Sequence, residues 1–127
     1  MNNIPGYEDL EFQLDEEVTR CFHERRLLIT GAAGSIGSEL ARQLSRLDPS
    51  RLFLLDKDEN SLYEIGLELR EDSPVPIREV VANIREPARL EQIFERFKPE
   101  VVFHAAAYKH VPMMERDPGE AILTNIA

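Results

Sequence analysis

From residue 26 onward, short apolar runs alternate with stretches of helical periodicity. The runs at 27–30, 51–55, 77–81 and 101–104 have the length and composition of buried strands. This alternation is typical of βαβ units, so the sequence predicts an α/β fold with a doubly wound parallel sheet of about four strands in the order 3-2-1-4 and flanking helices. The inner faces of the predicted helices carry Ile36, Leu40, Leu44 and Leu47, then Leu62, Ile65 and Leu69, then Leu90, Ile93, Phe94 and Phe97.

Proline and aspartate residues mark the ends of the predicted helices. Asp48-Pro49 follows the first helix, Pro74 and Pro76 follow the second, and Pro99 follows the third. Asp117-Pro118 has the form of an N-cap followed by a first-turn proline, which predicts a further helix that begins there and continues to about the last residue of the sequence.

The net charge of −9 is concentrated at the N-terminus. The first 17 residues contain six acidic and no basic residues, which leaves −3 for residues 18–127. Residues 1–24 are therefore predicted to be an acidic arm or linker with a short helix at 14–22, and residues 25–127 are predicted to be one folded domain. A domain so close to neutral, without a basic stripe, gives no support for nucleic-acid binding.

Cysteine, histidine and hydropathy exclude several kinds of site. The single cysteine, Cys21, cannot form an internal disulfide and is typical of a reducing compartment, so the predicted location is cytoplasmic. Histidines 23, 104 and 110 lack the spacing of metal ligands, and no metal is predicted. The apolar runs are far shorter than the roughly 20 residues that cross a bilayer, so no membrane span is predicted in these residues.

A glycine-rich sequence joins the first predicted strand to the first helix. Gly31, Gly34 and Gly37 would allow a tight turn, a close approach to a pyrophosphate and close packing of the helix. The N–H groups of that helix would face the anion, and Ser35 would bond a phosphate or cap the helix. These features predict a Rossmann-like dinucleotide-binding domain, with an ordinary βα turn as the alternative.

Polar residues at the ends of later strands extend the predicted cofactor site. Asp56 closes the second strand 19 positions after Gly37, where a carboxylate can accept hydrogen bonds from the adenosine ribose. A carboxylate opposes the 2′-phosphate of NADP, whereas Lys57 could pair with it. The predicted cofactor is therefore NAD or NADP, with NAD slightly favoured.

The third and fourth strands contribute the remaining candidates. Asn83 and Ile84 follow the third strand, where loops of this fold touch the adenine, although Asn83 could equally form a turn. Small side chains at 105–107 leave room for the nicotinamide ribose, with simple tight packing as the alternative. Lys109 lies next to this run and could reach a ribose hydroxyl or a substrate phosphate.

Together these motifs resemble one enzyme family. The sequences GAAGSIGSEL at 31–40, LLD at 54–56, HAAAYKHVPMME at 104–115 and TN at 124–125 resemble the nucleotide-sugar 4,6-dehydratases of bacterial polysaccharide biosynthesis, which are extended short-chain dehydrogenases/reductases. The resemblance covers about residues 26–127. It implies a UDP-sugar substrate such as UDP-N-acetylglucosamine, oxidised at C4 before water is eliminated across C5 and C6 and the hydride is returned. It also implies a parent protein that is a homo-oligomer, tethered in some members to the inner face of the bacterial membrane.

The resemblance also implies roles for individual residues. Relatives usually have Asp-Ile or Asp-Val where this chain has Asn83-Ile84, so a carboxylate bond to adenine is not expected here. Lys109 is a candidate for substrate contact as well as cofactor contact. The predicted cofactor-binding residues are Gly31, Gly34, Ser35, Ile36, Gly37, Asp56, Lys57, Asn83, Ile84, Ala105, Ala106, Lys109 and Asn125.

No catalytic residue is predicted in this chain. The superfamily usually places a lysine four residues after a tyrosine, but the residues four positions after the three tyrosines are Glu11, Leu67 and Pro112. The interpretation is a cofactor-binding part of a longer enzyme, inactive by itself. A nucleotide-sugar epimerase and a nonenzymatic NAD(P)-sensing domain are the alternatives, and the continuation of the gene would distinguish them.

Overall fold

In the computed structural model, residues 19–105 are described in full and residues 122–125 by their backbone. Five strands form one parallel sheet in the order β3-β2-β1-β4-β5, and three helices connect the first four. The elements are β1 (Arg26–Thr30), α1 (Ser35–Ser45), β2 (Arg51–Asp56), α2 (Glu59–Asp72), β3 (Ile77–Val81), α3 (Pro87–Phe97), β4 (Val101–His104) and β5 (Ile122–Asn125). The predicted α/β class and the strand order 3-2-1-4 are confirmed.

Each face of the sheet packs against its own layer of helices. The inner residues of α1 and α2, such as Leu44 and Leu62, pack with Leu27 and Leu54 on one face. On the other face, α3 packs through Ile93 against a second set of strand residues. Because both faces are covered, β1 and β2 are almost continuously apolar, as parallel strands in such sheets are.

The fifth strand was not anticipated. β5 pairs in parallel with β4, from Val101 opposite Ile122 to His104 opposite Asn125. The expectation of a helix from Asp117-Pro118 to the end of the sequence is therefore wrong for residues 122–125. A backbone partner was available at the edge of β4, and the β-branched Ile122 and Thr124 are well suited to a strand. Residues 117–121 themselves lie outside the described residues.

The ends of the helical segments differ modestly from expectation. α1 ends at Ser45, before Asp48-Pro49, and its last turn tightens as Arg46 N–H donates to Gln43 O at 3.2 Å. Leu47 nevertheless remains in the core, because the chain after the helix turns it inward. In the predicted 14–22 helix, residues 19–22 are helical and residues 14–18 lie outside the described part of the chain.

Candidate functional site

A pocket of about 460 Å³ opens at the carboxyl ends of the strands. This is the edge where parallel α/β sheets place their ligands, at the point where the strand order reverses between β1 and β4. The volume is within the range of small-molecule sites. The lining residues are Gly31, Gly34, Ser35, Ile36, Leu55, Asp56, Lys57, Ala82, Asn83, Ile84 and Ala105.

The glycine loop forms one wall of this pocket and is tied to the sheet beneath it. Gly31 has a φ of 71°, a left-handed conformation that disfavours any side chain. Gly34 N–H donates to Gly31 O at 3.1 Å, which closes the turn. Ala32 N–H donates to Leu55 O at 3.1 Å and so fixes the loop to the end of β2.

Gly37 lies beneath the loop, outside the lining of the pocket. A Cβ atom at this position would stand 2.7 Å from Gly31 C and 2.9 Å from Ala32 Cα, distances that real Cβ atoms do not adopt. A Cβ at Gly34 would stand 3.5 Å from Gly31 O, an ordinary contact. Gly37 therefore acts by letting α1 pack directly on the loop.

The first turn of α1 faces the pocket without a side-chain cap. Gly34 is the N-cap and provides no side-chain hydrogen bond, and the first turn contains no acidic residue. Ser35 is the first helical residue and lines the pocket, so the expectation that it might cap the helix is wrong. Ile36, assigned to the core by its helical spacing, is 46% exposed and also lines the pocket. It lies in the first turn of α1, at the mouth of the pocket.

Asp56 at the end of β2 is fixed by two backbone donors. Its Oδ2 accepts from Ala33 N–H and its Oδ1 from Asp58 N–H, both at 3.0 Å. The carboxylate is thus held against the glycine loop, and each oxygen keeps a lone pair for another donor. Lys57 lines the pocket next to it.

Asn83 combines a turn role with a place in the pocket. Its Oδ1 accepts from Arg85 N–H at 2.9 Å, which is the turn-forming use of asparagine. Asn83 and Ile84 both line the pocket beyond β3. Ala105 lies opposite, after β4, where its N–H donates to Thr30 O at 2.9 Å. Just below, the Oγ1 of Thr30 and Nδ1 of His104 are 2.6 Å apart in a buried hydrogen bond.

Nine of the thirteen predicted cofactor residues thus line one pocket, Gly37 lies beneath the glycine loop, and three are not described in full. Ala106 and Lys109 are outside the described residues, and Asn125 is described only by its backbone in β5. Prediction missed Leu55 and Ala82 in the lining and the N–H of Ala33 as a partner of Asp56. Leu55 and Ala82 could have been predicted, because each is adjacent in sequence to a predicted site residue at the end of a strand. The backbone N–H of Ala33 could not, because no residue type marks a backbone donor.

The groups around the pocket are those that a dinucleotide requires. Helix N–H groups and a glycine wall suit a pyrophosphate, and a fixed carboxylate suits ribose hydroxyls. Within residues 19–105 and 122–125, no three His, Cys, Asp or Glu side chains are grouped to hold a metal ion. Over the same ranges, none of the helices has the length and apolar character to cross a membrane.

Comparisons with known proteins identify the family to which this sequence is similar. A family model described as polysaccharide biosynthesis protein matches residues 27–127. The capsular polysaccharide biosynthesis protein CapD of Staphylococcus aureus is 43% identical over 111 residues, covering 86% of this chain and 18% of that protein. The UDP-N-acetylglucosamine 4,6-dehydratase (inverting) of Campylobacter jejuni is 32% identical over 106 residues, covering 83% of this chain and 30% of that protein.

A solved structure extends the likeness to the fold. The UDP-glucose-4-epimerase of Stenotrophomonas maltophila, with bound NAD and formylated UDP-arabinopyranose, is 26% identical with a TM-score of 0.55, covering 68% of this chain and 25% of that one. The chain therefore spans less than a third of the length of each of these three proteins.

Proposed function

The chain belongs to the polysaccharide biosynthesis protein family, and on this premise we propose that it is the dinucleotide-binding part of a nucleotide-sugar 4,6-dehydratase. One observation carries the proposal: the uncapped N-terminus of α1 and the fixed carboxylate of Asp56 line the same pocket. The first suits the pyrophosphate of a dinucleotide and the second suits its adenosine ribose. The named activity of the Campylobacter jejuni relative supports the choice of reaction.

Each wall of the pocket has a proposed role. The N–H groups at the start of α1 bind the pyrophosphate, with Gly34 leaving space for it, and Asp56 accepts hydrogen bonds from the ribose. Asn83 and Ile84 flank the adenine. Ala105 begins the path toward the nicotinamide end, along which we also place Ala106, Lys109 and Asn125. When bound, the dinucleotide supplies the hydride acceptor for oxidation of the sugar.

We propose that NAD is preferred over NADP. Both oxygens of Asp56 are held in place by backbone donors, so the carboxylate cannot swing away from a 2′-phosphate. Lys57 next to it reduces this repulsion without removing it. The preference is therefore expected to be modest.

The substrate pocket and the groups that remove water are proposed to come from residues outside this sequence. No tyrosine in these 127 residues is followed four positions later by a lysine. The relatives named above extend well beyond the segments that match. On this proposal residues 25–127 form the cofactor-binding domain and residues 1–24 are an acidic arm or linker.

Thermal unfolding of the 127-residue chain with NAD, NADP, UDP and UDP-N-acetylglucosamine tests the proposal. A ligand at 100 times its Kd stabilises the folded state by about 2.7 kcal/mol, so NAD should raise Tm most, NADP less and the UDP compounds least. Asp56→Asn should narrow the difference between NAD and NADP. Absence of any dinucleotide shift at millimolar concentration would count against the site.

A nucleotide-sugar epimerase is a second candidate, supported by the likeness to the Stenotrophomonas maltophila epimerase with bound NAD. The two functions share the cofactor half and differ in the fate of the oxidised sugar. With the full-length protein and UDP-N-acetylglucosamine, a dehydratase releases a 4-keto-6-deoxy sugar nucleotide, whereas an epimerase releases the C4 epimer. Mass spectrometry separates these products because only the first has lost water.

A further inference from the structure

Another concave surface lies between helix α3 and strand β3, apart from the cofactor pocket. It is a groove of about 450 Å³. Within the described part of the chain, it shares no lining residue with the pocket at the carboxyl ends of the strands. Three arginines line it, Arg78 from β3 and Arg89 and Arg96 from α3. We call it the arginine groove.

The aromatic ring of Phe97 holds two of these arginines together. The guanidinium carbons of Arg78 and Arg96 lie 5.0 and 5.6 Å from the centre of this ring. Phe53 packs on the same ring, with the two ring centres 4.7 Å apart. Cation–π contacts orient a planar guanidinium group and leave its N–H donors available for another partner. The fold thus brings two positive charges from distant parts of the sequence to one place.

Arg89 extends the positive charge along α3. It precedes Arg96 by seven residues, which places the two on one face of the helix and about 10 Å apart along its axis. Gln92 lies between them and also lines the groove. All three side chains are exposed to solvent. The charged surface is therefore longer than a single phosphate or sulfate ion.

The charge of the arginine groove has no counter-charge within residues 19–105. None of its three arginines has a carboxylate from this range within ion-pair distance. Over the same range, Glu91 and Glu95 belong to α3 itself but form no ion pair with them. Like charges held close together repel each other unless an anion lies between them. An anionic ligand would remove this repulsion.

Glu79 also lines the groove, but its charge is balanced by Arg70 on α2. Arg70 donates to both carboxylate oxygens, from Nη1 to Oε2 at 2.7 Å and from Nη2 to Oε1 at 2.5 Å. These hydrogen bonds hold the pKa of Glu79 below its usual value, so the ion pair persists near neutral pH. Glu79 therefore does not neutralise the arginines of the groove, and it opposes an incoming anion only weakly.

Arg70 also makes an added peptide strand an unsuitable occupant. β3 lies at the edge of the sheet, and such an edge can accept another strand. Because Pro76 O accepts from Leu52 N–H of β2 and backbone groups alternate along a strand, Ile77 O points outward. Arg70 Nη2 donates to this carbonyl at 3.0 Å. A peptide strand would have to displace that bond, whereas an anion without a peptide backbone would not.

We propose that the arginine groove binds a linear chain of phosphate groups, either inorganic polyphosphate or the phosphate chain of a nucleotide. Linked phosphates carry several negative charges along a line, as the groove carries its positive charges. Each guanidinium group can donate two parallel hydrogen bonds to phosphate oxygens. The Phe97 ring is already contacted by Arg78, Arg96 and Phe53, so the phosphates and not a stacked base supply the affinity.

Calorimetric titration of the 127-residue chain with tripolyphosphate at low salt tests the proposal. The unaltered chain should bind it, and a roughly tenfold rise in salt should weaken binding on the order of tenfold. The groove variant Arg89→Glu/Arg96→Glu should bind on the order of 100-fold more weakly, because it opposes like charges. The control Arg20→Glu/Arg46→Glu makes the same charge change at exposed arginines outside the groove and should bind nearly as well as the unaltered chain.

Two further arms separate the groove from the cofactor pocket and one source of phosphate from the other. Gly34→Asp places a carboxylate at the N-terminus of α1, and tripolyphosphate should still bind the groove of this variant. Titration of the same variant with ATP compares the sources. Equal affinities would assign the groove to a phosphate chain alone. Tighter binding of ATP that is lost on adding Arg89→Glu/Arg96→Glu would assign it to the phosphate chain of a nucleotide.

Several outcomes would overturn the proposal. Absence of tripolyphosphate binding at millimolar concentration would do so, as would binding that persists in the groove variant or disappears in Gly34→Asp. Tighter binding of hexaglutamate than of tripolyphosphate would instead assign the groove to an acidic peptide. If the groove variant does not fold, Arg89→Gln/Arg96→Gln provides the test, because it removes the charge without reversing it and should weaken binding on the order of tenfold. Unchanged affinity in that variant would contradict the proposal.

Discussion

Helices α1 and α2 both begin at the carboxyl edge of the sheet, but only α2 has its N-terminus closed by the protein itself. The carboxylate of Asp58 accepts a hydrogen bond from Ser61 N–H at 3.3 Å and another from the Ser61 hydroxyl at 2.9 Å. These bonds hold the pKa of Asp58 below its usual value. α1 instead follows Gly34, which has no side chain to provide such a cap.

The difference shows how neighbouring helix ends can have different uses. A helix leaves its first N–H groups without backbone partners, and a capping side chain normally satisfies some of them. In α2 that requirement is met internally, which contributes to stability. In α1 the groups face the pocket next to Asp56, whose carboxylate is held to one side by Ala33 N–H. On the proposed function, the N-terminus of α1 binds a phosphate because no capping side chain occupies its first N–H groups.

The substitution Gly34→Asp should give α1 a side-chain cap like that of α2. It should have the largest effect on dinucleotide affinity. Gly34 has φ −75° and ψ 173°, which an aspartate can adopt. Its carboxylate would bond the first N–H groups of α1 and repel a pyrophosphate. Dinucleotide affinity should fall on the order of 100-fold, while Tm should stay the same or rise by a few degrees. Calorimetric titration and thermal unfolding measure the two effects.

Gly34→Ala is the matched control for that change. It adds the same Cβ, at 3.5 Å from Gly31 O, without the charge. Its loss of affinity should be much smaller than that of Gly34→Asp. Equal losses in the two variants would mean that space, and not charge, makes Gly34 necessary.

Gly37→Ala should disturb the packing of the glycine loop beneath the uncapped N-terminus of α1. In an unobstructed helix this change would stabilise by up to about 1 kcal/mol. Here the added Cβ would meet the backbone at 2.7 Å from Gly31 C, so we expect a net destabilisation of about 1–3 kcal/mol together with weaker dinucleotide binding. Urea unfolding measures the first effect and titration the second.

Gly66→Ala in α2 provides a control with a similar initial contact. Its Cβ would stand 2.7 Å from Cδ of Glu79, which belongs to a side chain that can move. The free energy of unfolding should therefore fall less than for Gly37→Ala. If Gly66→Ala were the more destabilising change, the rigidity of the loop under α1 would not be the deciding factor.

The strand order was predictable because it follows from local signals that agree. Buried runs such as 51–55 are apolar throughout, and a right-handed crossover leaves few arrangements for four such strands. β5 was missed because its formation depends on tertiary pairing with β4, which the local sequence does not reveal. Asp117-Pro118, in contrast, is a strong local helix signal. Ile36 was predicted both as a core residue and as a cofactor residue, and its exposure contradicts only the first, because periodicity gives the face of a helix but not where the sheet beneath it ends.

The residues of the candidate site were predictable where the residue type itself determines the role, either through its side chain or, for glycine, through the lack of one. Gly31, Gly34 and Asp56 are of that kind, and all three line the pocket. Contacts made through the backbone, such as Ala33 N–H to Asp56, have no residue type that marks them. The two uses of Asn83 could not be separated beforehand, and the structure shows its turn bond together with its place in the lining.

Removing the cap of the closed helix should have the smallest effect. Asp58→Ala deletes the carboxylate bonded to Ser61 but keeps the Asp58 N–H that donates to Asp56. Tm should therefore fall by a few degrees while dinucleotide affinity is unchanged. Because the folded pKa of Asp58 is lowered, its stabilisation is present above the unfolded pKa of about 3.9 and is lost as the pH falls through the folded value. The two Tm curves should thus converge below that pH, and a difference that persisted there would assign the effect to something other than the charged cap.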